Sequence, residues 1–201
     1  MNQSLLIIFV KNPALGRAKT RLAASIGDKK ALAIYKRLLA RTHDVTLSLQ
    51  SDIEVHYDQF IDTNDLWEND RFNKKIQVKG DLGQKMASAF EDAFIRGYQK
   101  VAIIGSDCYD LTTPILTESF DLLDANDFVI GPSLDGGYYL LGMKTYYAPV
   151  FENKQWSTNS VFNDTKEDLL KEGYSIAELR PLSDVDVKED LGPWADKIVH
   201  S

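Results

Sequence analysis

The apolar positions of this chain fall into two alternating periods. Leu5-Leu6-Ile7-Ile8-Phe9-Val10 is a continuous apolar run, the pattern of a strand buried on both faces. Residues 19–26 open a short helix, Gly27-Asp28 breaks it with Asp28 as an N-cap, and Ala31, Ile34, Tyr35, Leu38, Leu39 and Val45 follow helical spacing over 29–47. Ile53, Val55 and Tyr57 alternate with Glu54 and His56, the period of a half-exposed strand. Residues 59–73 are polar and irregular, anchored by Trp67 and Phe72, and Ile76 with Val78 marks another short strand. Met86, Phe90, Ala93, Phe94 and Gly97 recur at helical intervals. Val101 to Gly105 is a buried strand, and Thr113-Pro114 signals a helix over 114–124, with Thr113 as cap and proline in the first turn. Phe128–Gly131 and Tyr138–Gly142 are strands joined by the turn-forming Pro132-Ser133-Leu134-Asp135-Gly136-Gly137. A helix over 158–171 capped by Ser157, a strand over 176–179, and a last helix after Val187 broken at Gly192-Pro193 complete the chain.

Strands alternating with helices predict an α/β fold, a three-layer αβα sandwich around a mostly parallel sheet, with ligands at the carboxyl ends of the strands. The two strands around residue 135 lie too close in sequence for a helical crossover, so antiparallel pairing is expected there. No repeat, low-complexity tract or linker divides the 201 residues, which read as a single domain over 1–201.

Composition narrows the function. A net charge of -7 argues against a general nucleic-acid partner, which needs a basic face. One cysteine, Cys108, excludes an internal disulfide framework and suits a reducing, cytoplasmic compartment. The first apolar run is too short for a signal-peptide core or a membrane span.

Against that acidic background, Lys11, Arg17, Lys19 and Arg21 cluster directly after the first strand, in Lys11-Asn12-Pro13-Ala14-Leu15-Gly16-Arg17-Ala18-Lys19-Thr20-Arg21-Leu22. This loop contains neither G-x-G-x-x-G nor G-x-x-x-x-G-K-[ST]. A strand followed by a Pro/Gly loop and a cationic helix start still makes a phosphate site, with side-chain charge supplementing the backbone amides; a solvated charged loop is the alternative. Gly105-Ser106-Asp107-Cys108 closes the buried strand, so Asp107 reads either as a Mg²⁺ or Mn²⁺ ligand or as a turn cap. Cys108 reads as a buried structural thiol, because His43, His56 and His200 lie in no triad-like context; a Cys108-dependent enzyme is the weaker alternative. In Asp135-Gly136-Gly137-Tyr138-Tyr139 a turn also offers a carboxylate and an aromatic face to an acceptor hydroxyl. In Ser183-Asp184-Val185-Asp186, two acids on one face of an extended segment could share a metal with Asp107, or cap the turn that follows. Trp156 is a core or interface anchor, or an acceptor contact.

Together these pieces resemble a small, largely uncharacterised family of GT-A-fold proteins described as glycosyltransferase-like. They are similar also to the nucleotidyltransferases of molybdopterin and deazaflavin-cofactor precursors, within the nucleotide-diphospho-sugar transferase superfamily. The resemblance runs in order through "FVKNPALGRAKTRL", "GDLGQKM", "IIGSDC", "DFVIGPSLDGGYYLLGM", "WSTNSV" and "DVDVKEDL", nearly the whole chain. It implies a nucleotide site made by Lys11, Gly16, Arg17, Lys19 and Arg21 with Gly80, Asp81 and Gln84. Asp107 would be the metal-binding carboxylate, completed by Asp186 and less directly by Asp184, while Asp135 and Tyr138 face the acceptor. Two departures stand out: Tyr109 replaces the proline that usually follows the cysteine, and the glycine-rich signature of many sugar nucleotidyltransferases is reduced to Pro13 and Gly16.

The expectation is a metal-dependent transferase, with Asp107 and Lys19 catalytic, acting on a nucleoside triphosphate or nucleotide sugar and a small-molecule acceptor. Nucleotidyl and glycosyl transfer both stay open, as does a homodimer; no nucleic acid or membrane is expected as a partner. The alternative from another class is a non-catalytic nucleotide-binding protein.

Overall fold

The structure, a computed structural model, describes residues 3–156 and 158–200. Seven strands and six helices follow the order β1 (Ser4–Val10), α1 (Thr20–Ile26), α2 (Asp28–Thr46), β2 (Asp52–Tyr57), β3 (Asn73–Ile76), α3 (Leu82–Ile95), β4 (Lys100–Ile104), α4 (Thr113–Ala125), β5 (Phe128–Pro132), β6 (Tyr138–Met143), α5 (Val161–Lys171), β7 (Ile176–Glu178) and α6 (Asp196–Val199). The strands form one sheet in the order β3-β2-β1-β4-β6-β5-β7. β1 pairs in parallel with β2 and β4, so that Ile7 lies between Glu54 and Ile103. β6 runs antiparallel between β4 and β5, as the short connection required, and β7 returns parallel to β5.

Alternate side chains of the sheet enter two cores. Leu6, Ile8, Val10 and Ile104 pack with Tyr35 and Leu39 of α2 and Leu116 and Phe120 of α4. Leu5, Ile7, Ile103 and Ile130 pack on the other face with Met86 and Phe90 of α3 and Leu169 of α5. A third, smaller cluster joins Leu22 of α1 to Ile34 and Leu38 of α2 and to Val185 and Ala195 near the carboxyl end. The result is the expected three-layer sandwich, with α1 and the tail laid over the outside of α2.

Several boundaries differ from the pattern-based reading. β3 lies over Asn73–Ile76 and stops before Val78, because Gln77 turns out of the ladder after its N–H donates to Tyr57 O, and its side-chain amide donates to Val10 O and His56 O. Asp28 is the first residue of α2 and Gly27, at φ 86°, is its cap. Thr112, not Thr113, precedes α4, because the Thr113 hydroxyl donates to Val45 O of α2. α5 begins only at Val161, and the expected cap Ser157 lies outside the described residues. The last helix is broken into two 3₁₀ turns, Lys188–Asp190 and Pro193–Ala195, before the short α6. Asp190 accepts the amides of Asp186 and Val187, which closes the first turn, and Gly192-Pro193 interrupts the rest.

A buried charge ties β2 and β3 to the end of α3. Glu54 is 1% exposed and accepts both terminal nitrogens of Arg96, with His56 at 3.1 Å and Lys75 at 3.3 Å. Burial alone would raise its pKa, but the bonds from His56 and Arg96 and the charges of Lys75 and Arg96 outweigh burial and hold it at about 2. A folded pKa below the ordinary 4.5 means stability that is present above that value and is lost as pH falls toward about 2. Glu54→Gln should therefore destabilise the protein by about 3 kcal/mol at neutral pH, and the difference from the parent should shrink across that acid window. Urea unfolding at several pH values measures both; a pH-independent difference would contradict the assignment.

Candidate functional site

The carboxyl ends of β1, β2, β4 and β5, together with the start of antiparallel β6, face one edge of the sheet. The loop after β1 is fixed there by buried polar groups. Tyr35 of α2 is 2% exposed, and its hydroxyl accepts the Lys11 N–H at 2.8 Å, donates to Lys11 O at 3.0 Å and lies 3.4 Å from Ser106 Oγ. Asn12, 5% exposed, accepts the amides of Gln59 and Phe60 on its Oδ1 and donates its Nδ2 to Phe60 O, while its own N–H donates to Asp58. These two residues hold the first loop between the ends of β1 and β2.

The loop then turns at Gly16, at φ 72°, and again at Lys19, at φ 52° and ψ 51°. A lysine in the left-handed region costs roughly 1–2 kcal/mol relative to the ordinary helical basin, so it persists only where other contacts over-determine it. The contact is an ion pair: Lys19 Nζ lies 2.9 Å from Asp107 Oδ2, with the lysine side chain 7% and the aspartate side chain 42% exposed.

The segment Ser183–Asp186 runs beside Asp107. Val185 N–H donates to Asp107 O at 2.9 Å, and Ser133, in the loop after β5, donates its hydroxyl to Asp184 Oδ2 at 3.1 Å. Burial is the main cause that pushes the Asp184 pKa up to about 6, the charge of Asp107 adds to it and that of Asp135 adds further, and the Ser133 hydrogen bond and Lys19 oppose it. Asp186 pairs with Arg21. Asp184 thus lies near enough to Asp107 to respond to its charge, and among the described residues no group of three or more Asp, Glu, His or Cys side chains converges as a metal cluster.

The remaining site candidates divide by what they touch. Lys11 is exposed, and Arg17 donates to Gln59 at 2.9 Å. Asp81 and Gln84 form a reciprocal capping box at the start of α3, each side chain accepting the other's backbone N–H. Gly80, at φ 138°, leaves room for the Gln84 side chain, which a Cβ there would meet at 2.3 Å. Trp156 packs flush on Gly83, where an added Cβ would lie 2.5 Å from the indole nitrogen. Asp135 accepts the Gly137 N–H and caps its own turn, and the Tyr138 hydroxyl is buried with no hydrogen-bond partner among the described residues. Cys108 is buried, and burial, with the nearby charge of Asp184, pushes its thiol up to about 12. At neutral pH it is a protonated packing group rather than a nucleophile.

Sequence reasoning did not single out Asn12, Tyr35 or Ser133. Tyr35 was legible only as a core position of α2, and Ser133 only as a turn residue. Asn12 stands next to Pro13 in the cationic loop, but nothing local reveals that it is buried.

The sheet order, with cations and carboxylates gathered at its carboxyl edge, defines the GT-A-like nucleotide-diphospho-sugar transferase fold class. Residues 34–158 match the family described as "Uncharacterized protein conserved in bacteria (DUF2064)", and the chain belongs to that family. It is similar to a protein from Desulfovibrio desulfuricans G20 provisionally assigned as a nucleotide-diphospho-sugar transferase, with 30% identity over 93% of this chain and 84% of that one and a TM-score of 0.85. The fold is shared also with the inositol-1-phosphate CTP transferase from T. maritima, at 14% identity over 98% of this chain and 94% of that one with a TM-score of 0.61. A third similar structure is Rv0371c of Mycobacterium tuberculosis H37Rv in complex with manganese, at 12% identity over 100% of each chain with a TM-score of 0.58. No curated protein sequence matches the chain. No described helix is long and apolar enough to cross a membrane.

Tyr35→Phe should cost about 1–3 kcal/mol, because it takes away both the acceptor of the Lys11 N–H and the donor to the Lys11 carbonyl. Denaturant midpoints of the two proteins at equal slope check this, and an unchanged midpoint would remove Tyr35 from the loop's support.

Proposed function

We propose that the protein transfers a nucleotidyl or glycosyl group from a nucleotide-activated donor to a small acceptor, with a divalent cation held against Asp107 and Asp184. The observation that carries this reading is the Lys19–Asp107 pair at the carboxyl edge of the sheet, beside a second carboxylate and below a loop with further cations. The donor phosphates would lie along that loop, within reach of Lys11, Arg17, Lys19 and Arg21.

The donors present suit a hard cation. Asp107 Oδ1 makes no hydrogen bond among the described residues, one oxygen of Asp184 remains beyond the one that Ser133 engages, and their mutual repulsion is what a shared cation relieves. Mg²⁺ or Mn²⁺ often takes only one or two protein carboxylates and fills its shell with phosphate and water oxygens. When bound, it would neutralise charge that develops on the phosphate oxygens. The manganese complex of Rv0371c supports such use in a related fold.

The chain's own residues account for the rest. In nucleotidyl transfer an acceptor oxygen attacks the α-phosphorus, the bond to the bridging oxygen breaks and pyrophosphate leaves; in glycosyl transfer the attack is on the anomeric carbon and a nucleoside diphosphate leaves. Both leave negative charge on phosphate, which the ammonium and guanidinium groups of the loop stabilise at fixed positions. The spread of four cations along the loop favours the triphosphate tail of nucleotidyl transfer. In this reading Gly80, Asp81 and Gln84 would bound the donor site through the α3 cap, and Asp135, Tyr138 and Trp156 would lie on the acceptor side.

A thermal-shift panel of nucleoside triphosphates and nucleotide sugars, with and without Mn²⁺, tests the proposal. A ligand at one hundred times its dissociation constant should add about 2.7 kcal/mol of stability. Arg17→Ala with Lys19→Ala should weaken that shift at least tenfold in ligand concentration, and Asp107→Asn should remove its dependence on Mn²⁺. Cys108→Ser should retain turnover once a substrate pair is found. A nucleotide shift indifferent to Mn²⁺ in the parent would instead support the non-catalytic binding protein, and no shift with any nucleotide would refute both.

A further inference from the structure

Lys19 occupies the place where a cation would meet Asp107. Its ammonium lies 2.9 Å from Oδ2, and its charge is felt by Asp184 as well. The side chain is 7% exposed, whereas Arg17 lies on Gln59 and Arg21 on Asp186. Of the four loop cations, it is the one seated on Asp107. Its backbone is also held at φ 52°, a conformation a lysine adopts only when something else demands it.

A divalent ion bound to Asp107 would sit roughly 2.1 Å from a carboxylate oxygen. With the ammonium still on Oδ2, the two like charges would be separated by only a few ångströms, well inside the distance over which salt screens them. One must yield. Donor phosphates give the ammonium an alternative partner of the same sign as Asp107, at the end of the same loop.

We infer that Lys19 is the resident counter-ion of the metal site and imposes an order of loading: a free divalent cation is kept off Asp107 and Asp184 until a nucleotide's phosphates draw the ammonium away. The inference rests on the transferase reading above and adds a sequence of events to it. Cation and nucleotide bind with positive coupling, and each raises the affinity of the other by the same factor. Lys19 acts at both stages, first as the occupant of the metal site and then as a ligand of the donor phosphates. The arrangement prevents a bare cation from holding the two carboxylates together in the absence of substrate.

The test is direct Mn²⁺ binding, followed by the loss of the free-ion electron paramagnetic resonance signal, with no nucleotide present. Salt at about 0.15 M screens charges more than ~8 Å away, so the readout reports the residue beside the carboxylates. The parent should bind Mn²⁺ weakly, and Lys19→Met should bind it tighter by roughly 5- to 150-fold, the usual range of a coupling between sites. Lys19→Gln, which keeps a donor for Asp107 but no charge, should show the same direction and serves if the methionine variant does not fold. Adding Asp107→Asn to either variant should abolish the gain. The nucleotide that gives the largest thermal shift should then tighten Mn²⁺ binding in the parent much more than in the Lys19 variants.

Equal Mn²⁺ affinity in the parent and in both folded Lys19 variants would overturn the inference, even if nucleotide still promotes Mn²⁺ binding through Asp107. A gain in the variants that survives Asp107→Asn would also overturn it, by placing the ion elsewhere. The transferase reading fails separately, if the parent with nucleotide neither binds Mn²⁺ nor depends on Asp107.

Discussion

The fold hangs on the pairing of β1. Its residues Leu5 to Ile8 are fully buried, so every backbone group in that stretch must find a partner inside the protein. β1 meets this by accepting β2 on one side and β4 on the other, both parallel. Three parallel neighbours end at the same edge, and so Lys11, Asp58 and the Gly105–Asp107 turn are brought together without any of them being adjacent in sequence. Antiparallel β6 then presents its first residue, Tyr138, rather than its last, to that edge. The crevice is a consequence of strand direction before it is a matter of side-chain chemistry.

Charge is placed in that crevice at a cost, and each cost has a visible partner. Lys19 is nearly covered and is offset by Asp107; Asp184 is half-buried and held by Ser133. What remains unbalanced is the proximity of two carboxylates, with one ammonium against one of them. Uncompensated like charges of this kind are concentrated at functional sites, where a ligand completes the set. The Glu54 network on the other side of the sheet makes the contrast plain. There Arg96, His56 and Lys75 surround Glu54, Asp92 also pairs with Lys75 and Arg96, each carboxylate has its cation, and the role is to fasten α3 to β2 and β3.

The same distinction separates the glycines and acids of the motifs. Asp81 and Gln84 are engaged in each other's backbone, and Asp135 in its own turn, so their first duty is local geometry. Gly136 belongs with them: a Cβ there would lie 2.1 Å from Asn159 O, which shows how closely the loop before β6 presses on the start of α5. These residues shape local turns and caps, while Lys19, Asp107 and Asp184 place charge at the carboxyl edge of the sheet.

Local pattern was enough to place the strands and most helices, because burial on one or both faces writes a period directly into the order of residues. β1, the two core-facing helices around residues 35 and 90, and the antiparallel pair around Asp135 were all legible in this way. So was the cationic loop, since the short chain between β1 and α1 keeps its charges together whatever the fold does. The pairing of those charges was not legible. Whether Asp184 or Asp186 lies beside Asp107 depends on the direction of one extended segment, which is set by the Val185–Asp107 hydrogen bond and by Ser133, about 50 residues away. Tyr35 and Asn12 were hidden for the same reason: one reads as an apolar helix position and the other as a polar loop residue until the ends of β1 and β2 meet. Periodicity reports which face of an element is covered, but a hydrogen bond between distant residues exists only once the sheet has brought their strands to the same edge.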